Sequence, residues 1–215
     1  MKAAILGAGN IAASMAQALG GLDDSLVESY AIAARDYDRA EAFARKWGIK
    51  KAYGSYEEML EDPLVDLVYM ATPHVFHYEH AKPCLEYGKP VLCEKPFTVK
   101  EWQAKELFAL AKEKNLLIAE AMWTRYMPSR QMIQDVIDSG VVGEITSMAA
   151  NLGYEHINIE RMRRPELAGG ALMDLGVYPL HFALMFFGDQ IKEITSTCVK
   201  LEPGVDAQES MTLIY

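Results

Sequence analysis

A glycine-rich turn near residue 9 constrains the fold more than any other feature of the sequence. An apolar segment, residues 3–6, runs directly into Gly7-Ala8-Gly9-Asn10-Ile11-Ala12, a G-x-G-x-x-A pattern that opens an amphipathic stretch. In such a strand–turn–helix unit the glycines permit a tight turn and a close approach to a pyrophosphate, which the helix N-terminus binds. The pattern predicts a dinucleotide site at Gly7, Gly9, Asn10 and Ile11; an ordinary glycine turn is the alternative.

The rest of the first half has the rhythm of a doubly wound α/β domain. Apolar strand candidates at residues 30–34, 65–71, 91–93 and 116–119 alternate with helical stretches at residues 37–47, 75–87 and 100–114. This alternation is typical of a parallel sheet, and strands that are apolar on both faces are typical of its buried interior. We therefore predict a Rossmann domain with a doubly wound parallel sheet over residues 1–122.

The pattern changes after Met122. We predict helices at residues 128–139 and 169–187, and strands at residues 145–153, 191–201 and 210–215. Strands that are not separated by helices favour an antiparallel sheet, so residues 123–215 are expected to form an α+β domain with an open, mostly antiparallel sheet. The sequence stops inside an apolar strand pattern, which would leave an exposed apolar edge. We therefore expect this second domain to be incomplete.

Composition excludes several classes of protein. The 215 residues carry 21 Lys and Arg against 30 Asp and Glu, a net charge of −9, which argues against a nucleic-acid binder. No apolar run reaches the roughly 18 residues of a membrane span, so no membrane partner is expected. Cys84, Cys93 and Cys198 form no C-x-x-C pair. This cysteine usage predicts a reducing compartment, the cytoplasm.

The end of the second predicted strand bears on the choice of cofactor. NAD-binding proteins place Asp or Glu there to bond the ribose hydroxyls, whereas this sequence has Ala34 followed by Arg35. A missing carboxylate beside a guanidinium suits a 2′-phosphate, so NADP is favoured over NAD. In the alternative interpretation Arg35 is a solvated loop residue and Asp36 binds the ribose.

The segment Glu94-Lys95-Pro96 follows the predicted strand at residues 91–93. Ligands bind outside the carboxyl ends of parallel strands, so Lys95 is a candidate for an acid/base or electrostatic role. A cis bond before Pro96 would turn the chain sharply and fix the direction of the lysine. The alternative is a surface Lys–Glu pair of little energetic value.

A second group of candidate residues lies in the predicted helix 169–187. Asp174, Tyr178 and His181 are spaced i, i+4 and i+7, which places them on one helix face, and Gly176 and Pro179 predict a kink there. Asp174 is a candidate substrate ligand. Tyr178 and His181 are candidate acid/base residues; a core tyrosine and a packed histidine are the alternatives.

A free tyrosine hydroxyl is too weakly acidic for proton exchange near neutrality, but a nearby ammonium such as that of Lys95 would stabilise its phenolate. We therefore hypothesise that Tyr178 removes a substrate hydroxyl proton while Lys95 polarises the oxygen. His181 is the replacement candidate if Tyr178 proves dispensable.

Taken in order, GAGNIA, ATPHVFH, LCEKPF and GGALMDLGVYPLHF give the chain a resemblance to the glucose–fructose oxidoreductase/inositol dehydrogenase (GFO/IDH/MocA) family. The pairing of EAMWTRYMP with LGVYP is similar to the branch of dihydrodiol and NADP-dependent xylose dehydrogenases. The resemblance covers essentially the whole chain. It implies a Rossmann domain, a substrate site on the sheet of a second domain, and a homo-oligomer.

The resemblance also implies roles for individual residues. It places Lys95 at the reacting carbinol, Glu94 near the nicotinamide ribose, and Thr72-Pro73 along the cofactor. Many family members carry a histidine at the position of Tyr178, so the resemblance to the dihydrodiol branch implies that a tyrosine serves here as acid/base.

His74, His77 and His80 form an H-x-x-H-x-x-H pattern. On a helix these spacings spread the side chains over roughly 120°, which disfavours one shared metal ion, so no metal is expected. We expect His74 to line the cofactor and the other two to lie on the helix surface. Trp123 and Arg125 could form a wall for a ring-shaped substrate, with interdomain packing as the alternative for Trp123.

These observations predict an NADP-dependent dehydrogenase that acts on a secondary alcohol of a sugar, polyol or cyclic diol. Because fold does not fix function, the alternative is a non-catalytic NADP-sensing regulator on the same scaffold. Reduction of a tetrapyrrole or an imine is a remote third interpretation.

Overall fold

The computed structural model describes residues 1–156, 158–202 and 204–215. The described chain divides into two compact units, Met1–Ala121 and Met122–Tyr215. Each unit is considered by itself below.

The first unit is built on a parallel sheet in the order β3-β2-β1-β4-β5-β6. Its strands are β1 (Lys2–Leu6), β2 (Glu28–Ala33), β3 (Lys51–Tyr53), β4 (Leu67–Met70), β5 (Val91–Cys93) and β6 (Ile118–Glu120). Its helices are α1 (Asn10–Gly20), α2 (Tyr37–Trp47), α3 (Tyr56–Glu61), α4 (His77–Glu86) and α5 (Glu101–Glu113). The strand order reverses between β1 and β4, and in such sheets the ligand crevice lies at the carboxyl ends of those strands. The predicted doubly wound fold is confirmed.

Both faces of this sheet are covered, as its apolar strands require. One cluster of buried side chains includes Leu6, Met70 and Leu107, and a second, on the other face, includes Ile5 and Ala12. Because successive strand residues point to opposite faces, β1 contributes to both clusters. The sheet is therefore a rigid base for the loops at its carboxyl edge.

The sequence interpretation missed β3 and α3. β3 has three residues and begins with an exposed lysine, so it shows little apolar pattern. α3 has six residues; its N-cap Ser55 accepts a hydrogen bond from Glu58 N. Beside them the buried Asp62 carboxylate accepts hydrogen bonds from Tyr30 and Tyr53. Short elements held by such tertiary bonds leave too weak a periodicity to predict.

The second unit contains α6 (Pro128–Asp138), a π-helical turn (Leu172–Gly176) that runs into α7 (Val177–Phe187), and an antiparallel hairpin of β7 (Glu193–Lys200) and β8 (Asp206–Ile214). Short 3₁₀ turns cover Trp123–Tyr126, Glu160–Arg163 and Pro165–Leu167. The predicted antiparallel sheet is confirmed for these two strands. The kink expected near Gly176 takes the form of the π-helical turn.

The strand predicted at residues 145–153 is wrong. These residues are all described, and they form no regular element. Together with residues 207–215 and one side of α7, residues 146–154 line a cavity of about 900 Å³. A strand needs a neighbouring backbone to pair with, and the described residues supply none to this segment. Its apolar residues are therefore not sufficient to form one.

One stretch, Pro165–Phe187, is long and apolar enough by length and composition to cross a membrane. Within the described unit it is not a continuous α-helix, since it contains a 3₁₀ turn, the left-handed residue Ala168 and the π-helical turn. It also carries Asp174, which pairs with Arg161 inside the unit. These features are typical of a globular unit and not of a lipid-exposed span.

Candidate active site

The glycine turn joins two loops at the carboxyl edge of the sheet. Gly7 has φ +103°, and its N–H donates to Ala33 O at 2.9 Å. A Cβ atom at Gly7 would lie 3.1 Å from Thr72 Cγ2 and 3.2 Å from the backbone of Ala71. Glycine is thus required both by its dihedral angle and by this close approach. The structure brings Gly7 and Thr72 together, two residues that we predicted to bind the cofactor.

Gly9 faces open space at the start of α1. It is the N-cap residue of this helix, and a Cβ built there meets no atom of the described residues within 4 Å. Asn10 and Ile11 in the first helical turn are exposed. Since glycine has no side chain that could cap the helix, the first N–H groups are available to an anion. The chemistry and the space at this turn fit a pyrophosphate.

Next to this turn, the end of β2 has the composition expected for a phosphate-binding corner. Ala34 is buried, and Arg35 is exposed. The Asp36 carboxylate is the N-cap of α2 and accepts a hydrogen bond from Arg39 N at 2.8 Å. This bond engages one oxygen, Oδ1, of the carboxylate that the alternative interpretation assigned to the ribose.

Arg39 is a residue that the sequence interpretation missed. Its guanidinium donates to Ala8 O, inside the glycine turn, at 2.8 Å. Arg39 therefore ties α2 to the phosphate-binding turn. No local pattern marks this role, because Ala8 lies 31 residues away in the sequence.

The loop after β4 corrects the prediction for one histidine. Thr72 and His74 are buried, and Pro73 is exposed. His77, expected on the helix surface, is completely buried: Nε2 lies 2.9 Å from Thr72 O, and Nδ1 lies 2.9 Å from Pro96 O. His77 is the first residue of α4, and its ring lies between the loop that carries Thr72 and the loop that carries Pro96, which together cover it. Burial lowers the pKa of His77 below its ordinary value, and the backbone carbonyls offset part of that effect.

The third histidine of the pattern, His80, is partly buried and lies 3.1 Å from Thr72 Oγ1, measured from Nδ1. Burial lowers its pKa as well. Among the described residues, no group of three or more His, Cys, Asp or Glu side chains could hold a metal ion. His77 and His80 instead brace the loop that carries Thr72.

Lys95 follows β5, and its backbone is held by acidic side chains. The Lys95–Pro96 peptide bond is cis, which confirms the prediction from sequence. Lys95 N donates to Glu94 Oε2 at 3.1 Å, and Phe97 N donates to Glu120 Oε1 at 2.8 Å. Carboxylate acceptors on two backbone N–H groups make charge-assisted bonds that fix the segment. The alternative of a solvated surface Lys–Glu pair does not describe this arrangement.

The Glu94 carboxylate also accepts a hydrogen bond from the neighbouring strand β4. The hydroxyl of Tyr69, a buried residue of β4, donates to Glu94 Oε1. Burial raises the pKa of Glu94, and the bonds from Tyr69 and from Lys95 N lower it in part. Burial and the neighbouring Glu94 charge also raise the pKa of Tyr69, so its hydroxyl stays protonated and donates.

In the second unit, Tyr178 lies in the first turn of α7. Trp123 Nε1 donates to Tyr178 Oη at 3.2 Å, and the two rings meet edge to face with centroids 6.1 Å apart. Arg125, in the same 3₁₀ turn as Trp123, is exposed. The structure thus brings together Trp123 and Tyr178, which were predicted for substrate binding and for proton transfer.

Asp174 pairs with residues that were not singled out from sequence. It is 6% exposed, and its two oxygens lie 3.0 Å from Arg161 Nη2 and 3.3 Å from His156 Nδ1. Asp174 lies in the π-helical turn and Tyr178 and His181 lie in α7, so the regular helix is interrupted between them at the predicted kink. The cluster of arginines at residues 161–164 was a usable signal for a carboxylate partner.

The N-terminus of this helical stretch is held by Asp206 at the start of β8. Asp206 Oδ2 accepts a hydrogen bond from Leu172 N at 2.5 Å. Gly170 has φ +120°, and a Cβ there would lie 2.0 Å from Asp206 Oδ1. Gly170 is therefore required to let the Asp206 carboxylate reach the helix, whereas a Cβ at Gly169 would lie 2.5 Å from Met162 O.

Comparisons with known proteins agree with this arrangement. Residues 1–122 match the oxidoreductase family with an NAD-binding Rossmann fold, and residues 130–215 match the GFO/IDH/MocA C-terminal domain. The trans-1,2-dihydrobenzene-1,2-diol dehydrogenases of Mus musculus and Homo sapiens are 40% and 38% identical over 212 residues, 98% of this chain. The chain spans 64% of the length of each of them.

Among solved structures, the chain is similar to KijD10, a 3-ketoreductase from Actinomadura kijaniata crystallised with NADP and TDP-benzene. The TM-score is 0.90 at 34% identity, over 99% of this chain and 66% of that one.

Proposed function

The chain belongs to the GFO/IDH/MocA family of NAD-binding oxidoreductases, and on that premise we propose that it is an NADP-dependent dehydrogenase of a secondary alcohol in a sugar, polyol or trans-dihydrodiol. The observation that carries this proposal is the segment after β5, in which Lys95 follows Glu94 and both are fixed by backbone hydrogen bonds. The names of the relatives support the reaction class, since they include diol dehydrogenases and a 3-ketoreductase.

Two loops of the first unit would hold the cofactor. The turn at Gly7 and Gly9, with Asn10 and Ile11 at the start of α1, would bind the pyrophosphate through backbone N–H groups. The loop of Thr72, Pro73 and His74 would line the nicotinamide half, and Glu94 would bond the ribose next to it. When bound, the nicotinamide accepts or supplies the hydride, and the protein orients the groups that exchange the proton.

The side chains of this chain supply the acid/base chemistry. We propose that Tyr178 removes the hydroxyl proton of the substrate and returns it in the reverse direction. The Lys95 ammonium would polarise the substrate oxygen. The Trp123 indole N–H donates to Tyr178 Oη and thereby orients the phenol. Asp174, Arg125 and Trp123 would bind the rest of the substrate, and His181 is the acid/base candidate if Tyr178 proves dispensable.

The preference for NADP rests on the corner after β2. Ala34 offers no carboxylate to ribose hydroxyls, and the Asp36 carboxylate caps α2. Arg35 would therefore face a 2′-phosphate, for which a guanidinium is the suited partner. The NADP found with KijD10 agrees with this choice.

Location and assembly are also proposals. Cys84 and Cys93 are buried free thiols and Cys198 is an exposed one, which suits a reducing compartment such as the cytoplasm. We propose a homo-oligomer, which light scattering on the purified protein would test: a monomer at micromolar concentration would contradict it.

The test is an oxidation assay with NADP and NAD on a panel of trans-dihydrodiols, aldoses and polyols, read as reduced-nicotinamide absorbance. We expect turnover with NADP that falls by about 100-fold or more in Tyr178→Phe and in Lys95→Met, while NADP binding is retained. NADP binding without turnover on any member of the panel would instead support the non-catalytic regulator.

A further inference from the structure

Tyr69 lies in the strand next to the one that carries Glu94 and Lys95, and it has no part in the mechanism proposed above. Tyr69 lies in β4 and is 3% exposed, and its side chain belongs to the buried cluster on the α1 face of the sheet. Tyr69 pairs with Leu92 in the parallel register of β4 and β5, and Glu94 follows Leu92 by two residues. Residues two apart in a strand point to the same face, so the Tyr69 hydroxyl reaches the Glu94 carboxylate along that face.

The Glu94 carboxylate joins this buried hydroxyl to the backbone of Lys95. One oxygen, Oε1, accepts from Tyr69, and the other, Oε2, accepts from Lys95 N at 3.1 Å. A half-buried carboxylate loses hydration, and hydrogen bonds to its charged form are what keep it ionised. Both donors are neutral, so they stabilise the anion without adding a charge to the site.

The charged and titratable groups around Glu94 are few. The Lys95 ammonium favours its anion, Glu120 on β6 disfavours it, and the Cys93 thiol on β5 has a pKa raised by burial and by both carboxylates. Tyr69, on β4, donates its hydrogen bond from the remaining side. Loss of this one bond therefore shifts the balance towards the neutral acid.

We propose that Tyr69 is a positioning residue that keeps Glu94 ionised and fixed against the Lys95 backbone. The effect of Tyr69 on catalysis rests on the proposed function. Its effect on the charge of Glu94 rests on the observed geometry alone. Without the Tyr69 hydroxyl, Glu94 takes up a proton at higher pH and its Oε1 is free to turn from the loop. The negative charge beside Lys95 is then lost over a pH range in which the parent protein retains it.

The first test is a titration of the cofactor-free protein. The side-chain ¹³Cδ resonance of Glu94, assigned by its loss in Glu94→Gln, is followed against pH in the parent and in Tyr69→Phe. Because a hydrogen bond to a charged acceptor is removed, we expect the midpoint to rise by about one pH unit or more. An unchanged midpoint would overturn the proposal.

Tyr30→Phe is the matched control, since it removes another buried tyrosine hydroxyl that bonds a carboxylate, that of Asp62, in the same unit. It is expected to lower stability and to leave the Glu94 midpoint unchanged; an equal shift in this variant would contradict the proposal. If Tyr69→Phe does not fold, the hydroxyl proton of Tyr69 is observed in the parent protein. The linewidth of this proton resonance is followed against pH and should change with the same midpoint as the Glu94 resonance. A linewidth that does not follow that midpoint would overturn the proposal.

The second test is kinetic. In Tyr69→Phe the acid limb of kcat/KM should move to higher pH by the same amount as the Glu94 midpoint, with activity recovering towards that of the parent at high pH. A merely structural role would lower activity by the same factor at every pH. If the parent itself turns over no substrate while the ¹³C midpoint shifts, the proposed function fails and the electrostatic role of Tyr69 stands.

Discussion

Trp123 Nε1 donates a hydrogen bond to Tyr178 Oη across 3.2 Å, which joins the 3₁₀ turn at the start of the second unit to the first turn of α7. The indole is more than half exposed, so this bond does not serve to bury an apolar side chain. A donor on the phenolic oxygen stabilises the phenolate that forms when tyrosine acts as a base. If Tyr178 is the base proposed above, Trp123 supports it through this bond.

Trp123→Phe should lower kcat by about 2- to 10-fold, because one exposed hydrogen bond to the phenolic oxygen is lost while the aromatic surface remains. The measurement is steady-state kinetics on the best substrate of the panel. Trp102→Phe is the control: Trp102 is equally exposed, at 56%, and also meets a tyrosine, Tyr78, edge to face. Equal losses in the two variants would show that the bond to Tyr178 is irrelevant.

Arg35→Ser should raise the KM for NADP by about tenfold or more and leave the KM for NAD nearly unchanged, because a charge-assisted contact to the 2′-phosphate is removed. Arg45→Ser is the control, since Arg45 is an exposed residue of α2 that pairs with Glu41. A parent enzyme that prefers NAD, or an Arg35 variant with unchanged NADP kinetics, would contradict the assignment.

Asp62→Asn should destabilise the protein by about 2 kcal/mol at pH 7, since the carboxylate accepts charge-assisted bonds from Lys51 as well as from Tyr30 and Tyr53. Burial alone would raise the pKa of Asp62, but these bonds outweigh burial and hold it well below its usual range. A lowered pKa in the folded state contributes stability above the unfolded value, and that stability is lost as pH falls below about 4.

Urea unfolding between pH 2 and 7 checks this prediction. The parent should lose stability steeply below about pH 4, and Asp62→Asn should show a weaker dependence there. The exposed Asp66 carboxylate, which accepts the Lys2 N–H, supplies the control Asp66→Asn, for which a change within about 0.5 kcal/mol is expected. Parallel curves for the parent and Asp62→Asn would refute the role of Asp62.

Gly170→Ala should destabilise the second unit by about 3 kcal/mol, because it adds backbone strain at φ +120° and forces Asp206 away from Leu172 N. Gly188→Ala separates the two effects: Gly188 has φ +78°, and a Cβ there meets no atom of the described residues within 4 Å. This control should cost about 1 kcal/mol, from strain alone. Thermal unfolding of both variants gives the comparison, and equal losses would exclude the Asp206 contact.

The sequence predicted what depends on local pattern. The apolar strands at residues 30–34 and 91–93, the glycine turn and the cis bond before Pro96 all leave a signal in a few adjacent residues, and each is found in the structure. Arg39, by contrast, matters through Ala8, 31 residues away, and Tyr69 through Glu94. No local pattern marks such long-range side-chain bonds.

Two errors have the same origin. Residues 145–153 have the length and the apolar residues of a strand, but a strand also requires a partner backbone, which the described residues do not provide. His77 was placed on a helix surface by its spacing, whereas the two loops above α4 cover it completely. In both cases the deciding contact comes from a segment distant in sequence.

The π-helical turn at Leu172–Gly176 sets the rotational phase of everything that follows it in the chain. Such a turn holds one residue more than an α-helical turn, so the same residues wound as a regular α-helix would turn Tyr178 by about 100° relative to the preceding backbone. A substitution that favoured the regular helix there would keep every candidate side chain and still misdirect the phenol. The conformation of this segment, and not only its composition, therefore decides where the phenol points.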